Sequence, residues 1–193
     1  MSVPAAKLIM PPEEYLAWEA EQPEKHEYLA GEVYSVYAMT GARNAHVTVA
    51  LNIATLLKTH LRGTPCRAYI SDMKVEVEAA SVYFYPDVFV TCDPRDLAAD
   101  YVMHHPRVII EVLSPSTAAF DLGEKFAIYR LIDSLREYVV VHPERRRLDV
   151  YHRADSGDWL LLAGSLPPGQ WVLPSLEFIA PLEAVFEDVA PAS

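Results

Sequence analysis

Glu111 stands inside Val108-Ile109-Ile110-Glu111-Val112-Leu113, a run that is otherwise aliphatic. Burying an ionised carboxylate among aliphatic side chains costs several kcal/mol unless the charge is paired or ligates a metal. Two partners would meet that cost: a lysine, giving a buried ion pair, or a divalent cation. Asp87 follows Pro86 at the start of an earlier apolar run. Taken alone, Pro-Asp is a turn signature. Set beside Glu111 on a neighbouring strand, Asp87 would repel it, and a shared cation would relieve the repulsion. Two oxygen donors of this kind suit Mg²⁺ or Mn²⁺.

Asp121, Lys125 and Tyr129 follow at steps of four and share one face of a helix. One reading is a surface ion pair worth a few tenths of a kcal/mol. The other returns Lys125 toward the two acids, where it would hold a phosphate and orient or help deprotonate a water. His46 lies in line with Ala50, Ile53 and Leu57. A lone histidine on a partly apolar face is more often a hydrogen-bonded core residue than a ligand. Glu27 and Glu32 flank the Ala30-Gly31 turn and read as solvated acids, and His104-His105 fits no metal-helix spacing and is given no role. No Walker, dinucleotide, nucleophile-elbow or zincin motif occurs. With seven glycines in all, the chain is poorly equipped for a Gly-rich phosphate loop, so its chemistry belongs to carboxylates, a lysine and a metal.

The elements that would carry these residues follow from periodicity. Pro11-Pro12-Glu13-Glu14 opens a short helix, with proline and acids in the first turn. His26–Leu29 and Glu32–Tyr37 form a hairpin turned at Gly31. Asn44 to Leu61 is a long helix, with Val47, Ala50, Leu51, Ala54, Leu57 and Leu61 on its buried stripe and Gly63 past its end. Met73–Glu78 alternates as a half-exposed strand, Val88–Thr91 is a second strand, and Arg107–Leu113 is a central strand covered on both faces. Thr117 to about Ile132 is a second helix, and Tyr138–Val141 a fourth strand. Leu148–Tyr151 and Trp159–Leu162 pair as a hairpin, and Pro181–Phe186 is a short helix. The order helix–strand–strand–strand–helix–strand over 44–141 predicts a mixed α/β (α+β) sheet with helices against it. The expected organisation is one domain over 1–193, with this core preceded by a helix and hairpin (1–43) and followed by β-strands and a short helix (142–193).

Composition narrows the class. The 193 residues are 51% apolar, and the net charge is −11. Such a chain folds, and no apolar run approaches the ~20 residues of a membrane helix. No secretory leader is read at the N-terminus. Cys66 and Cys92, 26 residues apart, fit no metal or redox spacing and read as reduced thiols of a cytoplasmic protein. The acidity argues against non-specific nucleic-acid binding, which rests on neutralising phosphates. Its distribution is uneven, however. Residues 125–153 carry seven bases against four acids; Arg145–Arg147 taken alone read as a solvated surface loop, but Lys125, Arg130 and some of Arg136 and Arg145–Arg147 are expected to border the site.

His46, Pro86-Asp87, Glu111-Val112-Leu113-Ser114-Pro115-Ser116-Thr117, Asp121 to Tyr129 and Arg136-Glu137-Tyr138-Val139, in that order, resemble the Uma-two family of restriction endonucleases, in the PD-(D/E)XK nuclease superfamily. Pro12-Glu13-Glu14-Tyr15-Leu16 and His26 to Val33 match its opening, and the resemblance runs from about residue 8 to residue 187. It implies a restriction-endonuclease-like αβββαβ core and Mg²⁺- or Mn²⁺-dependent hydrolysis of DNA phosphodiesters. It assigns Asp87 and Glu111 as metal-binding acids, with the Val112 carbonyl nearby. The superfamily's lysine stands two residues after the second acid, where this chain has Leu113; Lys125 is the migrated substitute. Glu27, His46, Asp121 and Tyr129 line the implied site, and Arg130 and Arg136 would meet nucleic acid. A homodimer and no membrane partner complete the implication. Two alternatives stay open: a non-catalytic nucleic-acid-binding or assembly module of the same fold, and a purely structural Glu111–Lys125 pair. Apolar replacement of that pair would keep or raise stability.

Overall fold

The computed structural model describes residues 8–35, 44–114, 118–162 and 168–190. The first strands are β1 (Leu8–Ile9), β2 (His26–Leu29), β3 (Glu32–Ser35), β4 (Arg67–Ile70), β5 (Lys74–Val77), β6 (Val82–Phe84) and β7 (Val88–Thr91). They are followed by β8 (Val102–Met103), β9 (Pro106–Val112), β10 (Glu137–His142), β11 (Arg147–Arg153), β12 (Trp159–Leu161), β13 (Gln170–Leu173) and β14 (Phe178–Pro181). The helices are α1 (Pro12–Glu19), α2 (Asn44–His60), α3 (Pro94–Leu97), α4 (118–129) and α5 (Leu182–Val185). Within α4 a π-helical turn at Asp121–Lys125 separates α-helical turns at Ala118–Phe120 and Phe126–Tyr129.

The central sheet runs β12-β11-β10-β9-β7-β4, and a second six-stranded sheet runs β1-β3-β2-β6-β5-β8. Central β9 pairs parallel with β10 and antiparallel with β7. Its side chains alternate between two cores. Val108, Ile110 and Val112 pack with Val49, Ile53 and Leu57 of α2 and with the β13–β14 hairpin. Ile109 faces the other way, into a core with Tyr129 of α4, Tyr138 of β10 and Val75, Val77, Val82 and Phe84 of the second sheet. Coverage on both faces is what an almost uninterrupted aliphatic run requires.

The order helix–strand–strand–strand–helix–strand is present, with one exchange. The strand Met73–Glu78 belongs to the second sheet, as β5. Its place in the central sheet is taken by β4, which pairs with β7. β4 is short and offers little alternation, so its sequence does not announce it. The stripe of α2 holds in its second half, where Leu57 and Leu61 are buried, but differs in its first: Val49 and Ile53 are buried, whereas Val47 and Leu51 are 57% and 62% exposed. Apolar residues lie almost all round this helix, so periodicity alone does not choose the face. The first hairpin turns as expected, with Ala30 and Gly31 both at positive φ. Tyr37, Thr117 and the motif residues Pro115-Ser116-Thr117 lie outside the described residues.

Cys66 and Cys92 form a disulfide, which corrects the reading of two reduced thiols. The reason is register: Arg67 opposes Thr91 in the β4–β7 ladder, so the residues just outside that pair meet. A separation of 26 residues says nothing about this until the strand pairing is known.

Candidate active site at the strand ends

Val88 opposes Ile110 in the antiparallel β7–β9 ladder. Continuing by one residue sets Asp87 across from Glu111, at the end of the sheet where β9 and β10 both finish. Glu111 follows Ile109 by two, so its side chain enters the core on the α4 side. It is 3% exposed. Asp87 spans the sheet end instead. Its Oδ2 accepts the Val112 amide at 2.7 Å, and its Oδ1 lies 3.0 Å from His46 Nε2 on α2.

Lys125 comes from the π-helical turn and reaches Glu111 directly, with Nζ 2.9 Å from Oε1. The Tyr129 hydroxyl donates to the same oxygen at 3.1 Å. Neither contact engages the second oxygen of Glu111. Lys125 also lies 3.4 Å from Glu27 Oε1 and 3.8 Å from Asp121 Oδ1. Glu27, on β2, accepts the Tyr85 amide, and the backbone carbonyl of Asp121 accepts the Tyr138 hydroxyl. One ammonium therefore sits among three buried carboxylates. Asp121, Lys125 and Tyr129, at steps of four, face the sheet together, and the π-helical turn falls at this cluster.

The electrostatics follow from this count. Burial pushes the Glu111 carboxyl well above its usual range, and Asp121 and Asp87 push the same way against the opposing pull of Lys125. Burial alone would lower the Lys125 ammonium, but Glu111 and then Glu27 hold it well above its ordinary value. Burial also works against a charged His46, yet its contact with Asp87 prevails and raises it.

Thus Asp87, Glu111, Lys125, Glu27, His46, Asp121 and Tyr129 come together at one end of the sheet. Arg145 borders a cleft of about 280 Å³ with Leu113 and Ser114, just beyond Glu111. Arg136 does not join them: its amide bonds Arg107 at the start of β9, the far end of the strand. Arg130 lies over the Phe126 ring, past the Lys125 turn. Arg146 caps the Phe186 and Val189 carbonyls, and Arg147 pairs with Asp149. Glu32 is bonded by the Tyr34 hydroxyl.

Sequence reasoning passed over a neighbouring network. The buried Glu19 carboxylate takes the Tyr85 hydroxyl and the His26 amide, and the Phe84 ring lies under the Lys125 ammonium. The signal was the position of Phe84 and Tyr85 directly before Pro86-Asp87. His104, given no role, has Nδ1 3.3 Å from Glu76 and 3.4 Å from Glu78. Among the described residues these three form a group with ligand atoms within 4.8 Å of one another. Oxygen donors for a hard cation are available at Asp87 and Glu111 too, where the surplus of negative charge is buried.

Residues 12–183 match the model of the Uma2 family, described as "Putative restriction endonuclease". The uncharacterized protein slr1290 of Synechocystis sp. is 43% identical over 161 residues, covering 83% of this chain and 82% of its own. A second Synechocystis sp. protein, sll1609, also uncharacterized, is 32% identical over 163 residues, covering 83% and 90%. A crystal structure described as "a putative nuclease belonging to DUF820" from Anabaena variabilis superposes with a TM-score of 0.72. That match covers 92% of this chain and 98% of the other at 14% identity, a likeness of fold. The mixed-sheet core is therefore restriction-endonuclease-like. Among the described residues no helix is long and apolar enough to cross a membrane.

Proposed function

Because the chain belongs to the Uma2 family of restriction endonucleases, we propose that it hydrolyses DNA phosphodiester bonds with a divalent cation at the Asp87–Glu111 end of the sheet. The observation that carries this reading is the buried charge surplus: Glu111, Glu27 and Asp121 surround a single lysine, with Asp87 beside them. Carboxylates held so close without a matching cation cost stability, and such strain marks functional sites. The donor set fits Mg²⁺ or Mn²⁺, both hard and oxygen-seeking. Asp87 and Glu111 would hold the ion, with the Val112 backbone beside them. When bound, such an ion polarises the phosphate and lowers the pKa of a water.

The chain's own residues do the rest. His46 and the Val112 amide fix the Asp87 carboxylate from two sides. Tyr129 and Lys125 fix Glu111 through one oxygen. Lys125 supplies positive charge where negative charge builds in the transition state. Arg145, in the adjoining cleft, would meet a phosphate of the strand. This reading includes a homodimer, to cut both strands, and a cytoplasmic location; the Cys66–Cys92 bridge counts against the second.

The test is plasmid nicking in Mg²⁺ or Mn²⁺. Wild-type protein nicks, and Asp87→Ala, Glu111→Ala and Lys125→Ala do not. Undiminished nicking by all three variants discards the proposal. A second reading is a non-catalytic nucleic-acid-binding or assembly module. It draws on the Glu111–Lys125 contact, which neutralises Glu111 without any ion. DNA binding without nicking under any divalent cation would favour it.

A further inference from the structure

Beside the carboxylate cluster lies a cavity of about 350 Å³, within the range of small-ligand sites. Its walls include Tyr34, Phe84, Phe120, Glu27 and Glu124. Two of these walls belong equally to the cluster. Glu27 lies 3.4 Å from Lys125 Nζ, and the Phe84 ring centroid lies 5.1 Å from the same nitrogen. Phe84 meets Phe120 edge to face, with centroids 6.0 Å apart. The cavity therefore begins where the proposed phosphodiester site ends.

The lining restricts the occupant. Aromatic walls favour a flat, unsaturated ring, and carboxylates at the margin accept N–H donors. Anionic groups are disfavoured by Glu27 and Glu124. A simple organic cation has less to gain, since the Lys125 ammonium already sits over Phe84. A planar heterocycle with exocyclic amino groups suits the aromatic walls, the apolar Leu29 and the two carboxylates together. Resting on the nuclease reading, we infer that this cavity receives one nucleobase of the substrate strand, turned out of its stack. The base stacks against Phe120 and Tyr34 and donates its amino N–H to Glu27 or Glu124. Its own phosphate then lies toward Asp87 and Glu111, one nucleotide away. The substrate is accordingly single-stranded, or a duplex opened at one position. Adenine, cytosine and guanine are preferred over thymine, which has no exocyclic amine.

Calorimetry on the full chain in Mn²⁺ tests this with dAMP, dCMP, dTMP and deoxyribose 5-phosphate. The expected result is binding of dAMP and dCMP about tenfold tighter than the base-free sugar phosphate, as one stacked base provides. Phe120→Ala removes that advantage, and Glu124→Gln, at an exposed position, narrows the margin of dCMP over dTMP. Equal affinity for dAMP and deoxyribose 5-phosphate overturns the assignment. So does an advantage that survives Phe120→Ala. Cleavage of plasmid and of single-stranded DNA by the same preparation separates the two failures: cleavage of either without a base advantage removes the pocket alone, and absence of cleavage on both together with no base advantage removes the nuclease reading with it.

Discussion

Lys125 Nζ lies 2.9 Å from Glu111 Oε1, with both side chains buried. The contact joins a strand residue to a helix residue 14 positions later, across the face of the central sheet. It is more than an isolated ion pair, because Glu27 and Asp121 also lie within 4 Å of the same ammonium. Removing either partner therefore has opposite consequences.

Lys125→Met leaves three carboxylates buried around an apolar side chain. The expected loss is about 3–5 kcal/mol, seen as a lower Tm in EDTA. Replacing both partners, as Glu111→Leu with Lys125→Met, is often harmless for a lone buried pair. Here Glu27 and Asp121 still lose their cation, so the double variant stays below wild type. A double variant at or above wild-type Tm would mean that Lys125 serves Glu111 alone.

Glu111→Gln relieves the surplus and leaves Lys125 with Glu27 and Asp121. In EDTA at neutral pH this variant melts above wild type, by about 2–4 °C per kcal/mol gained for a chain of this size. The margin depends on pH. Burial first, then Asp121 and Asp87 against the pull of Lys125, raise the folded-state pKa of Glu111 well above its ordinary carboxyl value. A raised carboxyl contributes stability that is full below its unfolded value and is lost as pH rises through the folded one. The advantage of Glu111→Gln over wild type is thus smallest in acid and grows toward neutral pH. A margin that shrinks as pH rises contradicts the assignment.

His46→Ala frees one side of the Asp87 carboxylate while leaving the Val112 amide in place. Groups that orient a ligating residue are typically worth 10–100-fold in metal affinity or activity. Nicking should fall by about that factor, with more Mn²⁺ restoring part of it. Activity unaffected by His46→Ala would make the histidine a packing residue.

The Cys66–Cys92 bridge closes a loop of 26 residues across the β4–β7 edge. The chain-entropy cost of that loop in the unfolded state is on the order of 3 kcal/mol. Reduction, or Cys66→Ser, should lower the Tm, and peptide mapping without reductant should recover the two cysteine peptides linked. Two free thiols in protein purified without reductant would contradict the pairing.

The central scaffold was legible because its signals are local. A seven-residue aliphatic strand with one acid, a proline-led strand and a helix with residues at steps of four survive in any context. Hence the αβββαβ order, save for the identity of its first strand, and the face shared by Asp121, Lys125 and Tyr129 could be read directly. What was missed depends on pairing between distant segments. β4 was invisible because Arg67–Ile70 has neither the apolar run of β7 nor the alternation of β5, its ends being exposed and its middle half-buried. The disulfide was hidden because register, not spacing, makes it. The α2 stripe was misjudged because Val47 and Leu51 are as apolar as the buried Val49 and Ile53. Arg136 was expected at the site as part of the basic stretch 125–153, but it stands just before β10, beside Arg107, at the opposite end of the sheet from Glu111. The aromatic wall of Phe84 and Phe120 comes from two separate elements, and no sequence window contains both.

Mn²⁺ binding by calorimetry reaches the central claim most directly. The account predicts binding by wild-type protein that is abolished by Asp87→Asn and by Glu111→Gln, and retained in Glu76→Gln. Binding that survives both Asp87→Asn and Glu111→Gln, or is lost in Glu76→Gln alone, would contradict it and move the ion to the Glu76–Glu78–His104 group.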